Sequence, residues 1–522
     1  MDSHPFSRAR LAVVFVGLLI CPAVHAAPQG GEPPGKPSAT GGGLALSLRD
    51  AILQAFGNHP DIHVARLNQA MRGADIAIAS SPFDPRFVSG VNYSRSEIPI
   101  DDFTNGRNEL GSIENENWRL SGEVNQTFYT GTRAALSLGS TFDRGETFIG
   151  GLAINDRSEI RPRLGFTVTQ PLLKGFSLQA NTADIRLATV AYSISALDFR
   201  LMVENVVSEV ERLYWDAVHA RGNLSVQGAA VDSAQEVLNI SEARLRVGDV
   251  AELEVWTARA NLATQEEGRI RARNDLANAE DRLAQIILRP EWRRVGRRAI
   301  LTTDEPDLVE EEVDLERSLE RALERRPDLR RSERQLEQAR IQHRKAKHEL
   351  LPTLNLTGTV GTSGLGKDPG NALSEMFTGE FIDWGVGLSL EVPLGANRFA
   401  EGNLKKLKHR KEQAQVALNS LKAGIIYEVR QAVRGVASAR ERVRAAEAAR
   451  ELSERRLRVE QAKLREGATI AKEVLDVQED LLAARSAELR ARIDYRLALS
   501  LLKKSESTIL STHGVRLPDE NE

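Results

Sequence analysis

The sequence predicts an α+β membrane protein with two internal repeats and a membrane β-barrel that is shared between three chains. Three observations predict this fold class: segments of alternating polarity, very long helical segments, and an order of elements that occurs twice. The aromatic content of 5% is low for a compact globular core, and much of the chain consists of residues typical of long helices. The net charge of −3 gives no basic excess that would indicate a nucleic-acid partner.

The first 26 residues have the pattern of a secretory signal peptide. Arg8 and Arg10 provide the positive start, residues 11–20 are apolar, and a small-residue cleavage site ends at Ala26. Cys21, the only cysteine, lies inside this segment. An alternative is that Cys21 is lipidated, but the residue before it is isoleucine, where lipoprotein signals usually have a small residue. We therefore expect cleavage after Ala26 and a mature chain without cysteine.

The rest of the chain divides into segments that we read from composition and from the repeat. The predicted segments are a flexible Gly/Pro leader (27–45), a first repeat (46–288), a linker (289–312), a second repeat (313–505) and a C-terminal tail (506–522). Each repeat opens with a short helix that stops before a proline, Pro60 or Pro327, because proline disfavours the helical conformation of its predecessor.

Strand regions follow at about 87–170 and 354–393. In the second region, apolar Trp384, Val386 and Leu388 alternate with small residues, as in membrane strands that face lipid on one side and a pore on the other. A soluble sandwich strand with one wet face gives the same pattern. The first region is longer and contains a candidate hairpin at 118–142. This hairpin either extends the barrel to six strands per chain or folds as an external cap.

Two long helical stretches, about 180–247 and 399–466, could each reach roughly 100 Å. Each ends at a glycine turn, Gly248 or Gly467, and is followed by a returning helix. A glycine here permits the positive φ that a tight interhelical turn needs. The simpler interpretation of each glycine is a plain helix C-cap.

A membrane sheet cannot leave an open edge in lipid, because each unpaired backbone group costs several kcal/mol. Two strand pairs give four strands, whereas closed membrane barrels have at least eight. The chain is therefore expected to close its barrel with copies of itself, and three copies give about twelve strands.

Two segments are similar to those of a known family. The stretch EVERLYWDAV at 209–218, followed by the Val247-Gly248 tip, resembles the long-helix signature of TolC-like outer-membrane efflux proteins. SLRDA at 47–51, leading to NHPD at 58–61, resembles the usual opening of that family. The resemblance covers roughly residues 46–505 and implies a homotrimer with a barrel in outer-membrane lipid and an α-helical barrel in the periplasm. It also implies a passive exit channel that works with a periplasmic adaptor protein and an inner-membrane transporter or secretion ATPase.

The resemblance further implies roles for residues at the two tips. Gly248 and Gly467 would mark where the adaptor docks, and Glu473 and Asp476, with Glu254 after the first tip, would form an acidic ring at the periplasmic entrance. The simpler interpretation of Glu473 and Asp476 is an ordinary solvated helix face. The gate arginine that the family often has two residues after the second glycine is replaced here by Thr469, and Arg465 is a possible substitute.

A different class of protein, a periplasmic coiled-coil scaffold or adaptor without a pore, would also explain the signal peptide and the helices. It would not explain paired strand regions of membrane length. The sequence has no nucleotide-binding, metalloprotease or nucleophile-elbow motif, so we expect neither enzymatic activity nor a cofactor or metal.

Overall fold

The computed structural model describes residues 44–101, 110–149, 152–287, 300–308, 311–395 and 397–517. The predicted signal peptide, nearly all of the predicted leader and the arginines of the predicted linker lie outside these residues. The main helices are α1 (Leu48–Asn58), α2 (Pro60–Ser80), α4 (Ala183–Arg246), α5 (Glu252–Ile287), α6 (Leu315–Arg325), α7 (Pro327–Glu349), α9 (Arg398–Arg465) and α10 (Ala471–Ser505). Three short helices are α3 (Leu178–Asn181), α8 (Pro369–Thr378) and α11 (Ile509–Thr512).

Six strands form one antiparallel sheet in the order β2-β3-β4-β5-β7-β8. The strands are β2 (Arg86–Asp101), β3 (Leu110–Thr127), β4 (Arg133–Ile149), β5 (Leu152–Pro171), β7 (Thr353–Ser363) and β8 (Ile382–Glu391). Four connections join the sheet to helices: α2 leads into β2, β5 into α3 and α4, α7 into β7, and β8 into α9. All four lie at the same end of the sheet. The sheet therefore has a helical end and a free end, and α8 lies in the connection at the free end.

The candidate hairpin at 118–142 is part of this sheet. Its strands β3 and β4 lie between β2 and β5, so that Val124 pairs with Phe87 on one side and Leu136 on the other. Of the two alternatives for the hairpin, the structure has the six-stranded sheet and not a separate cap. The count of four strands per chain is therefore corrected to six, because the additional hairpin pairs along its whole length with its neighbours.

The two long helices have the predicted extents, with α4 ending at Arg246 and α9 at Arg465. Each folds back on a returning helix, α5 or α10, and α10 also packs against α4. Many of the buried residues in the seams between them are small or aliphatic. One such cluster near the tips includes Val237, Val255, Leu464 and Val474. Side chains of this size allow long helices to lie close together over many turns.

Tyr214, in the EVERLYWDAV motif of α4, anchors two short strands that were not predicted from the sequence. Strand β1 (Leu44–Leu46) pairs in parallel with β6 (Ile300–Thr302). The buried hydroxyl of Tyr214 lies 3.0 Å from the carbonyl oxygen of Leu46 and 2.6 Å from Oδ2 of Asp304. Burial and the Asp304 carboxylate raise the pKa of Tyr214 to about 12.

Two predicted connecting segments contain paired strands. Strand β1 includes the last two residues of the predicted leader 27–45, and β6 lies in the predicted linker 289–312. Strands of three residues are too short to show alternation in the sequence. The predicted tail also packs: Ile509, Leu510 and Val515 belong to the main core, and the Glu211 carboxylate binds the hydroxyl of Ser500 and the ring of His513.

Within the residues that the structure describes, every helix is too short or too polar to cross a lipid bilayer.

Candidate functional site

Both long helices end in the same kind of turn. Gly248 has a φ of 77° and Gly467 a φ of 73°. The N–H of Gly248 donates to the carbonyl of Leu245 at 2.9 Å, and the N–H of Gly467 donates to the carbonyl of Leu464 at 3.2 Å. These are left-handed C-caps that also turn the chain into the returning helix. The sequence-based expectation of a positive φ at both glycines is confirmed.

The two tips of one chain are linked through Glu254. Oε1 of Glu254, on the first turn of α5, accepts a hydrogen bond of 3.0 Å from the backbone N–H of Ala471, the first residue of α10. Helix α10 has no side-chain cap of its own at Ile470, so Glu254 provides the missing acceptor. Nη1 of Arg244 lies 4.0 Å from the same carboxylate, and Nε of Arg244 binds Asp249 at 2.6 Å.

Glu473 and Asp476 have a different environment from Glu254. Both are exposed on one face of α10, while Val474 and Leu475 between them are buried in the seam between the tips. Among the described residues, neither carboxylate has a hydrogen-bonding or ionic partner for its side chain. Glu254, by contrast, keeps only 16% of its side chain exposed. The structure therefore places two of the three predicted ring residues at a free surface and uses the third as a link between tips.

The sequence did not identify Arg244 or the capping role of Glu254. The only available signal was that an acidic residue follows each glycine at the same spacing, at Glu254 and Glu473. Arg465, the suggested substitute for the absent gate arginine, binds Glu236 of α4 at 3.1 Å and so also joins the two tips.

The six-stranded sheet has one apolar and one polar face. On the apolar face, one row of directly paired residues crosses all six strands: Phe87, Val124, Leu136, Phe166, Val360 and Trp384. These side chains are exposed, and Trp384 is 77% exposed. The opposite face of β8 carries Asp383, Gly385, Gly387 and Ser389, with Asp383 paired to Arg163 of β5. An exposed apolar face across a whole sheet needs an apolar environment.

The apolar face is slanted relative to the rows of hydrogen bonds. On β2 it runs from Phe87 to Tyr93, whereas on β8 it runs from Ile382 to Leu390. Phe87 and Trp384 occupy the same row, so the apolar segment shifts towards the helical end between β2 and β8. The shift is about five residues over five strand spacings, which corresponds to a strand tilt of about 35° if the apolar zone is level.

Comparison with known proteins shows the family of this chain. The family model described as Outer membrane efflux protein matches residues 51–287 and 318–505, most of the chain. No curated protein matches the chain significantly. The matched family is one of channels, so it does not favour the alternative of a periplasmic scaffold without a pore. That alternative also does not account for a sheet with one exposed apolar face.

Several solved structures share the fold at low sequence identity. The CmeC outer membrane channel of Campylobacter jejuni is 18% identical, with a TM-score of 0.63 over 88% of this chain and 86% of that chain. The open state of the MtrE outer membrane channel of Neisseria gonorrhoeae is 18% identical, with a TM-score of 0.61 over 89% of each chain. The outer membrane protein VceC of Vibrio cholerae is 15% identical, with a TM-score of 0.62 over 88% of this chain and 96% of that chain. By its family match, the chain belongs to the outer membrane efflux proteins, the TolC-like channels that lie in the outer membrane and extend into the periplasm.

Proposed function

We propose that three copies of this chain form one passive channel that gives exit to the cargo of a tripartite efflux pump or a type I secretion system. The observation that carries this proposal is the open six-stranded sheet with one apolar face. In this proposal the chain catalyses no reaction and acts as a passive conduit. Its partners would be a periplasmic adaptor protein and an inner-membrane transporter.

The two edges of the sheet support assembly from several chains. Within the part of the chain that the structure describes, strands β2 and β8 each pair with a neighbour on one side only, and unpaired backbone groups in lipid cost several kcal/mol each. Because the sheet has an even number of antiparallel strands, β8 of one copy can pair with β2 of the next in the antiparallel sense. Three sheets joined in this way close a barrel of about eighteen strands.

The slant of the apolar face supports the same geometry. A tilt of about 35° is at the lower end of the range of about 35–45° for membrane barrels. At that tilt, eighteen strands spaced about 4.8 Å apart form a backbone cylinder about 34 Å across, against about 23 Å for twelve strands. The small residues Gly385, Gly387 and Ser389 on the polar face would leave much of that width open to water.

At the other end of the molecule, we place the periplasmic entrance at the helix tips. In a trimer, Glu473 and Asp476 would bring about six carboxylates around one opening and favour cations there. The turns at Gly248 and Gly467 would dock the adaptor. The bond from Glu254 to α10 would hold the two tips of each chain together while the entrance is closed.

The proposal can be tested by placing a lysine on the apolar face or on the polar face of β8 and comparing the two variants. Val386→Lys places a charge on the apolar face of β8, where it should cost about 2–4 kcal/mol per chain in lipid. Ser389→Lys is the matched control, since it adds the same charge to the polar face. Native mass spectrometry in detergent should show three chains for the parent and for Ser389→Lys, with a single conductance step in planar bilayers. Membrane-inserted trimer should be lost for Val386→Lys. Equal tolerance of both substitutions, or a conducting monomer, would overturn the proposal.

A further inference from the structure

Helix α8, in the connection between β7 and β8, lies directly on the apolar face of the sheet. The hydroxyl of Thr362 donates to the carbonyl of Met376 at 2.7 Å. Beyond β7, Gly364 and Gly366 continue the pairing with β5 through Pro162 and Ile160. Because pairing keeps the alternation of faces, these glycines are on the same face as Thr362 and Leu164.

The two glycines let the helix approach the strand backbone. A Cβ on Gly364 would lie 2.1 Å from the carbonyl oxygen of Ala372, and one on Gly366 would lie 2.8 Å from the N of Ala372. Ala372 and Met376, one turn apart on α8, are fully buried against the strands. The position of α8 is therefore fixed by close packing at the free end of the sheet.

The rest of the helix surface is divided into an apolar and a polar flank. Leu373 and Phe377, one turn apart, are 42% and 72% exposed. Ser374 and Thr378 are exposed on the polar flank. Successive residues are about 100° apart around the helix axis, so Thr378 lies about 100° from Phe377, on the side away from Leu373. The end of α8 lies beside the exposed apolar face, since a Cβ on Gly379, the residue after the helix, would lie 3.9 Å from Cδ1 of Ile382.

We infer that α8 is an interfacial helix whose Leu373 and Phe377 flank inserts into lipid acyl chains at the outer rim of the membrane. This inference rests on the proposed function, in which the apolar face of the sheet is in lipid. Two features select lipid as the occupant: continuity with the apolar face at Ile382, and the division into an apolar and a polar flank. At the free end of the sheet, opposite the helices, this rim is on the outer surface of the membrane.

The test uses single cysteines labelled with the environment-sensitive fluorophore NBD in phosphatidylcholine vesicles that contain nitroxide-labelled lipid. The parent chain, whose only cysteine is Cys21, gives the labelling background. Phe377→Cys should be strongly quenched, and more by a nitroxide near the headgroup than by one deep in the acyl chain. Thr378→Cys, on the polar flank of the same helix, is the matched control and should be quenched at least about threefold less.

Val386→Cys, in the middle of the apolar segment of β8, distinguishes a failure of the α8 inference from a failure of the channel proposal. If Val386→Cys is quenched and Phe377→Cys is not, or if Phe377→Cys and Thr378→Cys are quenched equally, the inference on α8 is wrong and the channel proposal stands. If Val386→Cys itself is not quenched, the proposed function fails. Adding Gly364→Ala to Phe377→Cys should displace the helix and weaken the quenching at 377, while quenching at 386 in the same background persists. Unchanged quenching at 377 would show that α8 is not held by this contact.

Discussion

Replacing Glu254 with alanine should loosen the link between the two helix tips of each chain. The substitution removes the acceptor for the N–H of Ala471, and loss of a helix cap costs about 1 kcal/mol. It also removes a negative charge from the N-terminus of α10, worth about 0.3–1 kcal/mol. The sum of about 1.5 kcal/mol per chain corresponds to about a tenfold increase in the ratio of separated to linked tips.

Single-channel recording in planar bilayers measures this effect as the open fraction of the channel. We expect Glu254→Ala to raise the open-to-closed ratio about tenfold or more, and Glu254→Gln, which keeps an acceptor oxygen, to raise it less. Glu252→Ala is the matched control, because Glu252 is an exposed acid on the same turn of α5. An open fraction for Glu254→Ala equal to that of the parent would show that Glu254 does not hold the tips together, as would an equal rise in Glu252→Ala.

Three further predictions concern the entrance and the buried polar groups. Replacing both Glu473 and Asp476 with alanine should abolish high-affinity block of the channel by divalent or trivalent cations from the periplasmic side, while the trimer persists. If single-channel records show undiminished block, the two residues are only part of a solvated helix face. Tyr214→Phe should lower the free energy of unfolding by about 1–2 kcal/mol near neutral pH, measured by thermal melts in detergent. Because its folded pKa of about 12 is above the ordinary value, the Tyr214 contribution is present below pH 10 and lost as pH rises towards 12, so parent and variant should converge there. Burial raises the pKa of Glu204, so its contribution is greatest at acidic pH and falls as pH rises through the raised value. Glu204→Gln should therefore flatten that dependence, and an unchanged melting profile would contradict the assignment.

Much of the fold could be predicted because it depends on long, regular patterns. The alternation on β8 and the apolar seams of α4 and α9 extend over many residues, so the strand regions and long helices were located within a few residues. The glycines at the tips were equally clear, because a left-handed C-cap selects for glycine. The internal structural repeat and its boundaries, and the roles of the ring and docking residues, stay predictions.

What sequence reasoning missed depends on contacts between distant segments. The pairing of β1 with β6 and the bond from Glu254 to Ala471 join residues far apart in the chain, and no local spacing encodes them. Whether the hairpin at 118–142 joined the sheet also depended on tertiary pairing with β2 and β5. Helix α8 was not assigned from the sequence, although Asp368 before Pro369 and Gly379 at its end are ordinary start and stop signals of a helix.

An electron cryo-microscopy map of the protein in lipid nanodiscs would show whether three six-stranded sheets close one barrel around one pore, because strands can be counted in a section through the membrane. We expect threefold symmetry, about eighteen tilted strands and a backbone diameter of about 34 Å. A barrel closed by a single chain, three separate pores, or a ring in which β8 of one chain does not pair with β2 of the next would contradict it.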